Sequence, residues 1–314
     1  MMKPLDPAAV LHASATLATL RAAALALFQG VPPPQRDLPT ALPWLSLIRF
    51  TQTTALHRGM LEPSMCLVLQ GEKTILIGKE ITRYGAGSYV VSAIDLPVSG
   101  QVTQASPRTP YIGLRIALDA RELAALVIDM QLAVPEQRQQ QPAAYVEQAD
   151  MELQDAFLRL LRMLDKPREL AAIGPLLKQE ILYRLLTARG GAALYHSVTA
   201  HAQEKGVSEA MLWIKHHYNQ PLNIGQLARS VSMSVSSLHH RFKALTVMSP
   251  LQYQKQLRLL EARKLLLAGK LEAASVAFQV GYESPSQFSR EYRRLFGAPP
   301  LQDIESLKHQ EPAL

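Results

Sequence analysis

Residues 222–243 (LNIGQLARSVSMSVSSLHHRFK) and 272–300 (EAASVAFQVGYESPSQFSREYRRLFGAPP) are two versions of one unit. Each runs from a short helical stretch holding an alanine (Ala228, Ala277), through a tight turn, to a serine placed to cap a second helix (Ser234, Ser284). In that second helix Leu238 and Phe242, or Phe288 and Tyr292, recur at i, i+4 and so share one inward side. Two helix-turn-helix units in tandem suit the holding of two successive major grooves of DNA. No other feature of the chain narrows its fold and role so far.

The charge follows the repeat. Of the net charge of +7, five units lie beyond residue 206, where they would meet phosphates. An apolar content of 48% with 19% charged residues suits packed domains and argues against extensive disorder. At 314 residues two domains are expected. The single Cys66 excludes an intramolecular disulfide and a multi-cysteine zinc site, and fits a reducing compartment. No apolar run approaches the ~20 residues that span a bilayer, and RAAALALF (21–28) has no secretory context, so a cytoplasmic protein without membrane contact is expected.

Along the chain, residues 8–28 read as a helix, and the proline-rich VPPPQRDLPTALP (31–43) as an irregular connector. Short β-branched and apolar runs between Leu45 and Leu118, punctuated by Gly, Pro and Asp, predict a sandwich or small barrel. Helical periodicity returns with Leu153, Phe157, Leu160, Leu161 and Leu164, is expected to break at Gly174-Pro175, and resumes with Leu177, Ile181 and Leu185. These leucine faces serve the barrel, a second subunit, or both. HSVTAHAQEKG (196–206) reads as a linker. Beyond it about seven helices are predicted. Asn223…Gln226 and Ser284…Gln287 have capping-box spacing, and Ser249-Pro250 is a cap followed by proline.

If Leu238, Phe242, Phe288 and Tyr292 point inward, the positions between them face outward. In the first unit these are Val235, Ser236, His239, His240 and Lys243; in the second, Pro285, Ser286, Ser289, Arg290 and Arg293. Arginine forks onto guanine or grips phosphate, while serine and histidine bond to bases or backbone. Blander roles compete: His239-His240 as a solvated face, Arg290 in an ion pair with Glu283 or Glu291, and Pro285 as the first helical residue.

The second unit, with Ala277, Gly281-Tyr282, Phe288-Ser289-Arg290, Tyr292, Phe296-Gly297 and Pro299, resembles the AraC/XylS family of transcription regulators. So does the connecting stretch 249–266, with Arg258, Leu259, Glu261, Ala262 and Arg263. The resemblance covers 207–306. It implies groove-facing positions at Ser236, His239, His240, Ser286, Ser289 and Arg290, with double-stranded DNA as partner and RNA polymerase as a further one.

Residues 62–119 resemble the N-terminal domain of one AraC-type subgroup, through Pro63-Ser64, Cys66, Gln70-Gly71-Lys73, Tyr84-Gly87, Asp95-Pro97 and Pro110-Tyr111. This implies a cupin-like β-barrel. Many cupins are metalloenzymes, yet His57 is the one histidine between residues 40 and 130, too few for such a centre. YGAGSY (84–89) lacks the third glycine of a dinucleotide fingerprint. No cofactor, metal or catalytic residue is therefore expected.

The expected fold is α+β and multidomain: a cupin-like barrel with flanking helices, then an all-α domain with two helix-turn-helix motifs. The layout is an arm and connector (1–38), a sensor barrel (39–130), a helical dimerisation and linker region (131–206) and the double helix-turn-helix domain (207–306). The expected function is a non-enzymatic, sequence-specific DNA-binding regulator, homodimeric and controlled by a small-molecule effector. Alternatives are a ligand-free barrel used for assembly, and a barrel enzyme with a regulatory appendage. Cys66 is the candidate sensor residue, as a reactive thiol or simply as a small buried one.

Overall fold

Alternating burial along short strands builds the N-terminal half in layers. The computed structural model describes residues 7–32, 37–77, 80–132, 143–196, 205–269 and 271–309. Helix α1 (Pro7–Leu27) is followed by β1 (Asp37–Pro39), β2 (Leu45–Phe50), β3 (His57–Leu61), β4 (Ser64–Gln70) and β5 (Glu72–Ile77). Then come β6 (Glu80–Gly85), β7 (Ser88–Ser92), β8 (Leu96–Gln104), β9 (Tyr111–Ala117), α2 (Ala120–Asp129) and β10 (Ala144–Gln148). Helices α3 (Met151–Leu161) and α4 (Pro167–Thr187) and a helical stretch over 191–196 (α5) complete this half.

A six-stranded antiparallel sheet runs β1-β2-β9-β4-β7-β10, and a four-stranded one β3-β8-β5-β6. On β4, Met65, Leu67 and Leu69 face a core shared with α1, α3 and α4, while Cys66 and Val68 face the other sheet. That is the two-residue period of a strand buried on both faces.

Three features depart from the expectation. The connector contains a three-residue edge strand, β1, whose Pro39 is tolerated at a sheet edge. Strand β10 lies inside the region read as helical and pairs with β7, Ala144 opposite Ser92. Gly174-Pro175 does not break a helix: α4 runs through Pro175. An interior proline costs about 3 kcal/mol. Burial of Leu170, Leu177, Ile181 and Leu185 in the core outweighs that, at about 1.5–3 kcal/mol for each such side chain. Of the roles open to the leucine faces, the internal one is filled: Leu153, Phe157, Leu160, Leu161, Leu177, Ile181 and Leu185 all pack within the chain.

The C-terminal half is helical: α6 (Lys205–His216), α7 (Ile224–Ser230), α8 (Val235–Thr246), α9 (Pro250–Leu267), α10 (Ala273–Gln279), α11 (Pro285–Phe296) and α12 (Pro300–His309). Of the stretch read as a linker, residues 197–204 lie outside the described residues. Asn223, Ser234, Ser249 and Ser284 all cap as the sequence predicts. The reciprocal capping box, however, forms at Ser249, whose amide donates to Gln252 Oε1 at 2.9 Å.

The halves touch at one corner. Lys215 Nζ lies 2.6 Å from an Asp95 carboxylate oxygen, and the Tyr253 hydroxyl donates to the Asp95 carbonyl at 3.0 Å. Ile94 and Leu245 each pack against both the inter-sheet core and the core of the first helix-turn-helix. Arg263 on α9 donates to the Arg58 carbonyl on β3 at 3.4 Å.

Candidate nucleic-acid interface

Helices α8 and α11 are positioned from their inward sides. Leu238 and Phe242 are fully buried, and the Phe242 ring meets Tyr253 of α9 edge-on at 5.5 Å. Phe288 and Tyr292 are equally buried, in a ladder that runs Tyr282, Phe288, Tyr292, Phe296. With these anchors inside, the predicted outward residues face solvent. Val235, Ser236, His240 and Lys243 are exposed on α8, and His239 is half-exposed. On α11, Ser286, Arg290 and Arg293 are exposed and Ser289 is half-exposed. Pro285 is the first residue of its helix.

Arg290 and Arg293 make no ion pair among the described residues. The competing partner Glu291 is turned inward, 2.6 Å from Lys255 Nζ and accepting from the Tyr282 hydroxyl at 2.8 Å. Burial alone would raise the Glu291 pKa, but Lys255 and Tyr282 together hold it below the usual carboxylate value. Arg294 was missed. It follows Arg290 by four residues and is exposed, so helical periodicity alone extends the basic face to it.

The two units are braced against each other by Arg258 of α9, through contacts too distant in sequence for local spacing to foretell. Its guanidinium donates to the carbonyls of Tyr218 (2.6 Å), Gly281 (2.7 Å) and Gln220 (2.8 Å). Those carbonyls lie in the loop that leads into α7 and in the turn before α11, so one side chain ties the entry to the first unit and the turn of the second to the connecting helix. The two copies close differently: α8 ends on Val247 at φ +62°, α11 on Gly297 at φ +88°.

In the N-terminal half, Cys66 sits mid-strand facing the opposite sheet, and burial pushes its thiol pKa up, away from the thiolate a reactive sensor needs. His57 lies at the sheet edge, 3.5 Å from Arg263. Among the described residues no three His, Cys, Asp or Glu side chains gather to hold a metal, and no helix is long and apolar enough to cross a membrane.

Two family models match the chain. One describes the AraC-type transcriptional regulator N-terminus and covers residues 41–193; the other, a helix-turn-helix domain, covers 227–305. The transcriptional activator RhaS of Pectobacterium atrosepticum is 32% identical over 109 residues, 35% of this chain and 38% of that protein. RhaS of Pectobacterium carotovorum is 28% identical over 146 residues, 46% of this chain and 49% of its own length. The virulence regulon activator VirF of Yersinia enterocolitica is 29% identical over 126 residues, 40% and 46% of the two chains. The match thus spans half or less of each relative. Among solved structures, ToxT of Vibrio cholerae O395 shares the two-domain fold at a TM-score of 0.53 and 10% identity, over 85% of this chain and 98% of its own. With the sheet domain, the paired helix-turn-helix units and both family matches in agreement, the chain belongs to the AraC family of transcriptional regulators, which are DNA-binding proteins and not enzymes.

Proposed function

We propose that this protein is a cytoplasmic, sequence-specific regulator that lays α8 and α11 into successive major grooves of one DNA segment. The observation that carries this is the pair of solvent-facing helices, anchored by buried aromatics and tied together through Arg258. Ser236, His239 and His240 on one helix, and Ser286, Ser289 and Arg290 on the other, would meet base edges. Val235 offers an apolar contact, while Lys243 and Arg293 would grip phosphates. Arg290→Ala is expected to weaken binding to the protein's own operator by about 1–3 kcal/mol, roughly five- to 150-fold, and to relax the preference at one base pair. Lys243→Ala should weaken all sequences alike and flatten the salt dependence. Mobility-shift titrations at several salt concentrations separate the two; an Arg290→Ala protein that binds as wild type defeats the assignment.

The bracing has a mechanical consequence. Helix α9, at 18 residues, is about 27 Å long, whereas grooves on one face of DNA repeat every ~34 Å. Held at a fixed angle, the units cannot swing apart, so we expect the DNA to bend when both engage. Circular-permutation and phasing gels should show a bend wherever footprints span both grooves, and straight DNA under such a footprint rules it out.

In this reading the N-terminal sandwich receives a small effector, and Ile94, Leu245 and the Asp95 contacts carry its occupancy to the first helix-turn-helix. The protein acts as a homodimer that activates transcription through contact with RNA polymerase. Since the leucine faces of α3 and α4 are internal, a dimer would use the opposite side of α4, where Ile173, Leu176 and Tyr183 are exposed.

A further inference from the structure

The core between the two sheets is apolar except where β4, β5, β6 and β9 bring Cys66, Lys73, Tyr84 and Tyr111 to it. Lys73 shares the inward face of β5 with Ile75 and sits cross-strand from Tyr84 on one side and Val102 on the other. Its stem lies over a bare backbone: a Cβ on Gly100 would be 3.5 Å from Lys73 Cε. On the facing sheet, a Cβ on Gly113 would be 3.3 Å from the Tyr111 hydroxyl and 3.4 Å from the Cys66 sulfur. The two sides meet at the start of β5: a Cβ on Gly71, two residues before Lys73, would lie 3.0 Å from the Tyr111 Cα.

One polar atom of this group is buried without a partner. Tyr111 is fully buried and its hydroxyl makes no hydrogen bond of acceptable geometry, with only the weakly bonding Cys66 sulfur beside it. No carboxylate among the described residues lies within 4.0 Å of Lys73 Nζ. Asp37, the acid whose charge reaches it, is exposed on β1. Folded proteins leave few such buried hydroxyls unpaired, and an ammonium half-shielded from water gains from a counter-charge. Lys73 is half-buried and Cys66 keeps 8% of its surface, so the cluster retains access.

We propose that this interior is a receptor site for a small organic monoanion, its carboxylate held by the Lys73 ammonium and the Tyr111 hydroxyl and its apolar body against Phe50, Val68 and Val102. One charge is matched, because the neighbouring cation, Arg115, is already paired with Glu62 at 3.0 Å. A polyhydroxylated neutral ligand would need many more donors and acceptors than these walls present. The inference rests on the receptor reading of the sandwich and names the ligand class. It also gives a role to the lysine of the Gln70-Gly71-Lys73 motif.

The test is thermal denaturation of the full-length protein with benzoate and hexanoate, each against its neutral amide, benzamide or hexanamide. At least one acid should raise Tm with concentration while its amide does not. Lys73→Met should weaken that acid's binding on the order of a hundredfold or more, as expected for a buried carboxylate left without its cation. Without ligand, Lys73→Met should melt no lower than wild type, since it removes an unpaired ammonium. Should it unfold, Tyr111→Phe, which deletes only the hydroxyl, should weaken binding about tenfold with Tm unchanged. Equal shifts by acid and amide overturn the anion assignment and leave the receptor reading standing. A shift that survives both substitutions overturns the location. Silence from all four compounds removes this proposal, while a shift with any other small molecule would keep the receptor reading alive.

Discussion

Replacing Asp303 with alanine is expected to cost about 3–5 kcal/mol of folding stability, as when one member of a buried ion pair is removed. Asp303, in the first turn of α12, receives a two-pronged contact from Arg263 of α9, with Nε and Nη2 both at 2.8 Å. It also accepts from the Tyr292 hydroxyl of α11 at 2.7 Å. Both charged side chains are about nine-tenths buried. The alanine variant strands a guanidinium over the Phe296 ring, 4.3 Å away, and leaves a buried hydroxyl without its acceptor. Three helices lose their common tie, so DNA affinity should fall with stability. Urea denaturation followed by circular dichroism measures the cost. The double variant Arg263→Met/Asp303→Leu should fare better than Asp303→Ala alone, because it removes the charges together. A loss below about 1 kcal/mol would show that the pair is not desolvated.

Gly281→Ala should be nearly as severe, for a reason of backbone geometry. Gly281 has φ +89°, and an added Cβ would lie 2.1 Å from the Asn219 carbonyl oxygen. A left-handed residue with a Cβ costs about 1–2 kcal/mol, and forcing two backbones apart adds roughly 1–3. The shift would also pull the Gly281 carbonyl from Arg258, loosening the brace between the units. Gly297→Ala is the control: φ is +88°, but nothing lies within 4 Å, so about 1 kcal/mol is expected. Thermal melts should rank Gly281→Ala well below Gly297→Ala. Footprints should then shorten to the first groove in Gly281→Ala alone. Equal melting of the two variants would mean that the contact with Asn219 is loose.

Much of the DNA-facing half was legible before its structure. Its signals are local: a serine one residue before a helix, an aromatic at i and i+4, a glycine in a tight turn. Each operates within a few residues, so Ser234, Ser284, Phe288 and Tyr292 stand where the spacing put them. The outward positions follow, because a helix with two buried anchors has little freedom in what it exposes. The misreadings arose where distant residues decide. AYVEQ at 144–148 pairs with β7 because that sheet has an open edge more than fifty residues earlier in the chain, and Pro175 stays helical because its neighbours have a core to enter.

By itself, then, the sequence determined the repeat, the caps, the inward anchors and the kinship of both halves, all written in short-range periodicity and motif. Only the tertiary structure decided that Arg258 joins three carbonyls across 23 to 40 residues, that Leu153, Leu160, Leu177 and Leu185 are core, and that Tyr84 and Tyr111 meet between the two sheets. Buried polar groups take their meaning from partners brought near by folding, and the spacing of residues along a chain carries no record of which distant strand will face them.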